Sequence, residues 1–434
     1  MILAISTHKY MVSLLQFLNK RRALILLCLF LISLTLRLFV TYRDYSRNHE
    51  KGWSDALLYL SYGESFAQGD FYPKVGNSEY MIVGPVIPFF VAASKWLTGN
   101  PIWFALFLNC LLSALLVYVL FEIGSKVIGL TAGYFLSIWS VFNISFIRQN
   151  YQILKEPLVI LLLPLIVLSL VNIYNNKKTL FNTILSSLIF SVLIHADERY
   201  IVYCPIFLLF IFFTSLHRIK YKLAGIWIVI LLITMIPWTV RNYKQFGEIV
   251  ILSPRTTSFT SKLWGTDFAK MHFSSEDSMQ RKIISNQDDA IQAKNKYGVQ
   301  PRIYGKYEKY YKAFIHYWKP TYFKLTYIMY GNRPVKWSLS HNISSLIFYG
   351  IFLPFYLFGL FLSIFRKKWL IVYLGSIPVF HSLLHTLMLW PLERYRLPMS
   401  FLIVLIAIWA INDFISNRLN SKNTIENTIS KAEV

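Results

Sequence analysis

Apolar runs separated by short polar connections dominate the chain. Runs over about 23–42, 102–121, 127–146, 153–174, 180–194, 201–216, 223–240, 343–364, 369–389 and 397–414 read as membrane spans. Most reach the roughly 18–20 residues that an α-helix needs to cross a ~30 Å hydrocarbon core. The run 180–194 is the shortest of them. A further apolar stretch, 83–98, is interrupted by Pro85, Pro88 and Lys95, and reads as a short re-entrant or interfacial helix. Treating it as non-spanning leaves about ten crossings and predicts an all-α polytopic membrane protein.

The polar connections alternate in character. Lys20, Arg21 and Arg22 precede the first run; no small-residue cleavage site follows, so an uncleaved first span is expected. With those residues in the cytoplasm, Lys126, Lys177–Lys178, the 217–222 cluster, Arg366–Lys367–Lys368 and the tail also fall inside, in accord with the positive-inside rule. The outer connections are then 43–101, 148–152, 195–200, the long insert 241–342, and 390–396. The insert carries about seventeen Lys and Arg against about seven Asp and Glu, but loops longer than about 60 residues escape the rule. It reads as a small extracytoplasmic cap with some helix, suited to a sugar- or phosphate-facing surface, or as a helix lying on the headgroups. Three parts follow: a module over 1–240 with its first loop at about 43–101, the insert 241–342, and the closing spans with a short tail over 343–434.

Composition agrees. Of 434 residues, 55% are hydrophobic and only 15% charged, well under the quarter typical of soluble domains. The net charge of +23 sits between apolar runs, so it reads as topogenic charge and contacts to membrane lipid or phosphate, not as a nucleic-acid surface. Cys28, Cys110 and Cys204 lie in or beside apolar runs and form neither a disulfide framework nor a metal spacing. The Asn-, Ile- and Lys-rich composition fits a bacterial inner membrane.

On this register the unusual ionisable residues share the outer side. Asp55 and Glu64 lie in the first loop; Arg148, Lys155 and Glu156 bracket the fourth span; His195, Asp197, Glu198 and Arg199 stand between the fifth and sixth. Arg241 closes the seventh span, and Glu393, Arg394 and Arg396 open the tenth. Ionisable groups at membrane depth are costly and usually face a cavity or one another. Carboxylates and guanidiniums from five connections meeting in one cavity suit transfer from a lipid phosphate. A carboxylate takes the proton of an acceptor hydroxyl, and Arg and Lys stabilise the leaving phosphate. Simpler roles compete: Asp55 as a helix cap, Lys155–Glu156–Pro157 as a helix start, 195–199 as a salt-bridge network, and Arg394 and Arg396 as interfacial anchors. His381 and His385 have the i, i+4 spacing of a metal pair but no third ligand, and read as hydrogen-bonded histidines.

Three segments carry a resemblance. Trp53-Ser54-Asp55-Ala56-Leu57-Leu58-Tyr59, with Ala67-Gln68-Gly69-Asp70 after it, resembles the first-loop pattern of bacterial family 39-type glycosyltransferases. These are GT-C enzymes related to protein O-mannosyltransferases and to the aminoarabinose transferase of lipid A. Pro237-Trp238-Thr239-Val240-Arg241-Asn242-Tyr243 with Phe246-Gly247, and Glu393-Arg394-Tyr395-Arg396-Leu397-Pro398, are similar to two later signatures of that group. The resemblance implies a GT-C fold, a polyprenyl- or dolichyl-phosphate sugar donor, and inversion at the anomeric carbon. It implies Asp55 as catalytic acid/base, Glu156 as a second acidic residue and Tyr59 as an orienting group. Arg199 and Arg241 match positions suited to the lipid phosphate; Arg148, Lys155, Arg394 and Arg396 complete the candidate substrate-binding set. Asp55 is followed by Ala56, where protein O-mannosyltransferases carry an Asp-Glu pair, so the acceptor stays open between lipid, glycan and protein. A divalent metal ion shared by Asp55, Glu156 and a donor phosphate is compatible with the pattern. The rival reading is a transporter or flippase of a lipid-linked sugar, against which stands the lack of paired, interrupted halves.

Overall fold

A computed structural model describes residues 16–48, 54–72, 83–214, 219–247, 249–253, 311, 314–320, 339–387 and 393–432. Most of the insert 241–342, and Trp53 of the first-loop motif, lie outside the described residues. Among the described residues there is no strand. The chain separates into two compact units, Met1–Asp288 and Asp289–Val434.

The first unit runs α1 (Arg22–Asn48), α2 (Ser54–Ala67), α3 (Val86–Thr98), α4 (Trp103–Val127), α5 (Leu130–Phe142), α6 (Ile144–Arg148), α7 (Glu156–Tyr174), α8 (Thr179–Ala196), a 3-10 turn (Glu198–Tyr203), α9 (Cys204–Thr214) and α10 (Lys220–Phe246). The second runs α11 (Leu339–Ser345), a π turn (Leu346–Gly350), α12 (Phe352–Phe365), α13 (Trp369–Leu387), α14 (Glu393–Arg396), a 3-10 turn (Leu397–Met399) and α15 (Ser400–Ala432). Among the described residues eight helices are long and apolar enough to cross a membrane, and the chain is an all-α integral membrane protein. Two expected crossings differ. The run 127–146 is the 13-residue α5 followed by a break, and 201–216 begins as a 3-10 turn before the 11-residue α9.

The break after α5 has a local cause. Asn143 is extended, and its side chain accepts hydrogen bonds from the Ser145 and Phe146 amides, capping a new helix and ending the old one. The last carbonyls of α5 are satisfied by Arg37, which is fully buried in α1. Its Nη2 donates to Ser140 O at 2.9 Å and its Nε to Ser113 Oγ at 2.8 Å. A cation at a helix C-terminus meets both the orphan carbonyls and the dipole.

α7 is apolar all round and buried on most of its surface, the pattern of a central helix. α4 and α8 pack against it, α5 and α1 against α4, and α10 against α8. α1 and α10 leave most of their apolar surface facing outward, where lipid solvates it. At one end of this unit Arg22 pairs with Glu122, Lys126 Nζ lies 3.2 Å from Glu122 Oε2, and Lys126 donates to Asn172 Oδ1 at 2.9 Å. This basic end gathers the start of α1 and the ends of α4 and α7. The opposite end carries the candidate site.

Candidate functional site

Three elements meet at the site end of the first unit. α2 begins at Ser54, with Asp55 in its first turn, where a carboxylate is favoured by the helix dipole. Tyr59 follows one turn later on the same face and is buried. α7 begins at Glu156, with Lys155 as the preceding residue and Pro157 in the first turn, so the expected helix start is observed. Asp197 ends α8 in an extended conformation, its side chain accepting from the Arg199 amide.

Lys155, Asp197 and Arg199 form a buried ionic cluster. Lys155 Nζ lies 3.2 Å from Asp197 Oδ1. Arg199 grips the same carboxylate at two points, Nε to Oδ1 at 2.8 Å and Nη2 to Oδ2 at 2.5 Å. One carboxylate therefore serves two cations. Burial raises the cost of charging Asp197, yet Arg199 and then Lys155 outweigh it and hold the carboxyl well below the usual carboxylate range. Burial likewise opposes the charge on Lys155, but the pull of Asp197, with contributions from Tyr59 and Glu198 and against that of Arg199, lifts its ammonium above the ordinary lysine value. Glu156 and Glu198 are buried beside these residues in sequence.

The surrounding segments are pinned. Asn109 Nδ2 of α4 donates to Gln152 O at 3.0 Å, fixing the loop between α6 and α7. Asn150 Nδ2 donates to Phe146 O and Ile147 O, closing the end of α6 next to the half-buried Arg148. Gly84 passes so close to α8 that a Cβ there would lie 1.9 Å from His195 O. Any larger residue would push the first loop off the end of α8. His195 itself is bonded through Nδ1 to Ser191 O at 2.7 Å.

Arg241 is held by neighbouring groups of the chain. Its Nε and Nη2 reach Phe71 O at 3.0 and 2.7 Å, and Nη1 donates to Asn242 Oδ1 at 3.0 Å. Its guanidinium also lies between rings, 4.7 Å from the Trp238 centroid and 5.2 Å from that of Tyr72. It ties α10 to the segment just after α2. Asn242 extends the tie, its Nδ2 donating to Val250 O and Leu252 O.

Arg394 and Arg396 belong to the second unit. Arg396 is buried, donates to Tyr317 O and Lys319 O at 2.8 and 2.9 Å, and lies 3.8 Å from the Tyr349 ring centroid. It closes a short helical turn over 314–318 within that unit. Arg394 donates to Tyr395 OH at 2.8 Å. His381 bonds Tyr395 O at 2.7 Å and His385 stacks on the Tyr395 ring at 5.0 Å, so the histidine pair packs as hydrogen-bonded and stacked rings. Among the described residues no three His, Cys, Asp or Glu side chains come together as a metal site.

The architecture can be matched to solved structures. The chain aligns with the Archaeoglobus fulgidus oligosaccharyltransferase in its apo form over 93% of its own length, with a TM-score of 0.55 and 12% identity. The fold is similar to that of this oligosaccharyltransferase. The same enzyme tethered to an acceptor peptide containing an NVT sequon aligns over 95% of this chain at 12% identity, with a TM-score of 0.56. The same TM-score is obtained for archaeal AglB from A. fulgidus, in complex with an inhibitory peptide and a dolichol-phosphate, at 11% identity and 95% coverage. The chain spans about half the length of these structures, 51–52%. At such identity the likeness is one of fold. No family model and no curated protein sequence matches the chain.

Sequence reasoning missed Arg37. Its signal was present, an arginine inside the first apolar run, where a charge is costly unless it is held by the protein.

Proposed function

We propose that the protein is a membrane glycosyltransferase that moves a sugar from a polyprenyl-phosphate-linked donor to an acceptor hydroxyl at the site end of the first unit. One observation carries this reading. Lys155 shares the single carboxylate of Asp197 with Arg199 and feels the charge of Tyr59, which lies one helical turn from Asp55. The GT-C fold and the presence of dolichol-phosphate in one structural neighbour support a lipid phosphate as the leaving group.

In this mechanism Asp55 accepts the proton of the acceptor hydroxyl. The hydroxyl oxygen forms a bond to the anomeric carbon as the bond from that carbon to the phosphate oxygen breaks. The electron pair departs with the lipid phosphate, and attack opposite the leaving group inverts the centre. Lys155 and Arg199 are held charged and in place by Asp197, so the developing phosphate charge meets a preorganised positive field. In this reading Arg148 adds to that field and Glu156 assists Asp55. Tyr59 orients the group by linking α2 to the cluster. Arg241 acts through the first loop as a strut, and Arg396 braces the second unit. The family 39-type resemblance of the three motifs favours a single sugar as cargo; the acceptor is a lipid, glycan or protein hydroxyl. The site faces away from the cytoplasm, because the basic connections lie at the other end.

The test is transfer in proteoliposomes loaded with radiolabelled polyprenyl-phosphate sugars. Asp55→Asn is expected to lose about 10²–10⁴-fold in rate, the usual worth of a general base. Near-normal transfer by that variant would remove Asp55 from the chemistry. Movement of donor across the bilayer without any transfer would favour a transporter.

A further inference from the structure

The end of the first unit away from the candidate site is a polar network with too few anions. Arg22 at the start of α1 pairs with one oxygen of Glu122 on α4, and Lys126 Nζ takes the other at 3.2 Å. The network runs on through neutral groups. Lys126 donates to Asn172 Oδ1 of α7 at 2.9 Å, and Asn172 Nδ2 donates to Asn182 Oδ1 of α8 at 3.1 Å. Asn182 Nδ2 in turn donates to the carbonyls of Lys177 and Lys178 at 2.8 and 3.1 Å. The ends of α1, α4, α7 and α8 are thereby fixed relative to one another.

Charge on this face does not balance. Lys20, Arg21, Arg22, Lys126, Lys177 and Lys178 stand in the segments 16–26, 118–134 and 170–183, which contain a single carboxylate, Glu122. That carboxylate is already shared, and Lys177 and Arg22 both oppose the charge on Lys126. The α7–α8 turn keeps its lysines there. Asn176 and Lys178 are in the left-handed region, at φ 54° and 44°, a conformation that is costly for a residue with a Cβ and is held here by the Asn182 bonds. The face is also open. Lys20, Arg21, Lys177 and Lys178 are exposed, and the side chains of Arg22 and Lys126 are 43 and 23% exposed. Apolar side chains say which kind of anion fits. Leu24 and Leu27 follow the cations of α1, Leu180 and Phe181 follow Lys178 on α8, and all four are exposed. Both helices are long and apolar enough to cross a membrane, so these residues lie on the hydrocarbon side of the charges. A soluble anion uses the cations alone, whereas a phospholipid uses both.

We propose that this face is a discrete site for one anionic phospholipid, its phosphate held among Arg22, Lys126 and Lys177 with Lys178 at the edge. The phosphate supplies the negative charge that Glu122 alone does not, and it ties the start of α1 to the α7–α8 turn. Such a site is saturable and depends on these particular residues. A diffuse attraction of basic loops to an anionic surface follows net charge instead and is indifferent to which lysines supply it. The site is independent of the chemistry proposed for Asp55 at the other end of the unit.

The experiment is native mass spectrometry of the full chain, titrated in detergent with phosphatidylglycerol or phosphatidylcholine. Lys177→Gln with Lys178→Gln is compared with Lys367→Gln with Lys368→Gln, which removes the same charge from a basic connection of the second unit. Because Lys177 and Lys178 are exposed, the first variant is expected to unfold at the wild-type temperature in lipid-free detergent. The expected result is one phosphatidylglycerol retained in preference to phosphatidylcholine. Its Kd should rise about tenfold or more in the 177/178 variant and stay within about twofold of wild type in the 367/368 variant. Equal weakening in both variants describes a diffuse field and would overturn the site, as would equal retention of the two lipids. Displacement of phosphatidylglycerol by excess inorganic phosphate describes a free-anion site and would also overturn it. Phosphatidylglycerol should in addition raise the unfolding temperature of wild type more than that of the 177/178 variant; an equal rise in both would count against the site. No readout uses transfer activity, so loss of the catalytic reading leaves the result standing.

Discussion

Lys155 and Asp197 lie 42 positions apart in sequence and meet at 3.2 Å, side chain to side chain, in a pocket that leaves the carboxylate almost fully buried. Arg199 completes the pair from the same loop as Asp197. The first turn of α7 is an unfavourable place for a cation, so Lys155 depends on this carboxylate. The cluster welds the end of α8 to the start of α7.

Asp197→Asn is therefore expected to destabilise the protein by about 3–5 kcal/mol, the cost of leaving buried cations without a counter-charge. Lys155→Met with Asp197→Asn should recover part of that loss. Thermal unfolding in detergent measures both. A loss within about 0.5 kcal/mol for Asp197→Asn, as for an ordinary surface change, would mean that the cluster is not a structural unit.

The pH dependence follows with its sign. The Asp197 carboxyl titrates below its ordinary 3.8 in the folded protein, so its stabilisation is present above that value and is lost only as pH falls through the lower one. Lys155 titrates above its ordinary 10.5, so its stabilisation is present below that value and is lost only as pH rises through the higher one. The contribution of the intact cluster to wild-type stability should then be flat from about pH 5 to 9. A slope across that range would show that the cluster titrates there.

Arg241→Lys should not substitute for arginine, because a lysine cannot place two nitrogens on Phe71 O while stacking between Trp238 and Tyr72. Faster amide exchange over 68–72 in this variant is the expected outcome. Unchanged exchange there, with donor affinity reduced instead, would return Arg241 to the phosphate.

Arg37→Leu removes the donors that satisfy Ser140 O and Ser113 Oγ. A loss of about 2 kcal/mol or more is expected, since buried carbonyls without partners cost roughly 1–3 kcal/mol each. Amide exchange should rise around the α5–α6 break. Equal stability would show that water or a neighbour replaces the guanidinium.

Much of this was legible from pattern. Apolar runs located most of the long helices, and the alternation of basic connections grouped Lys155 with Asp197, which the first unit brings to 3.2 Å. What the sequence left open were partners. Asp197 and Lys155 were each visible as ionisable residues, but nothing in their spacing said that one carboxylate would serve two cations. Arg241 stood in a recognisable motif, yet its acceptor is the backbone carbonyl of Phe71, and a backbone acceptor leaves no mark on a sequence. Asn143 breaks the run 127–146 by capping, without the proline or glycine that would have signalled it. Gly84 carries no signal of its own; its need to be small arises only from the approach of His195 O.

The central claim, that Asp55 acts on a lipid-phosphate sugar held beside Lys155 and Arg199, is tested most directly by mass spectrometry of lipids that co-purify with Asp55→Asn in mild detergent. The account predicts a trapped polyprenyl-phosphate sugar, enriched over wild type and lost in Asp55→Asn combined with Arg199→Gln. Ordinary phospholipids alone, in the same pattern for both proteins, would contradict it.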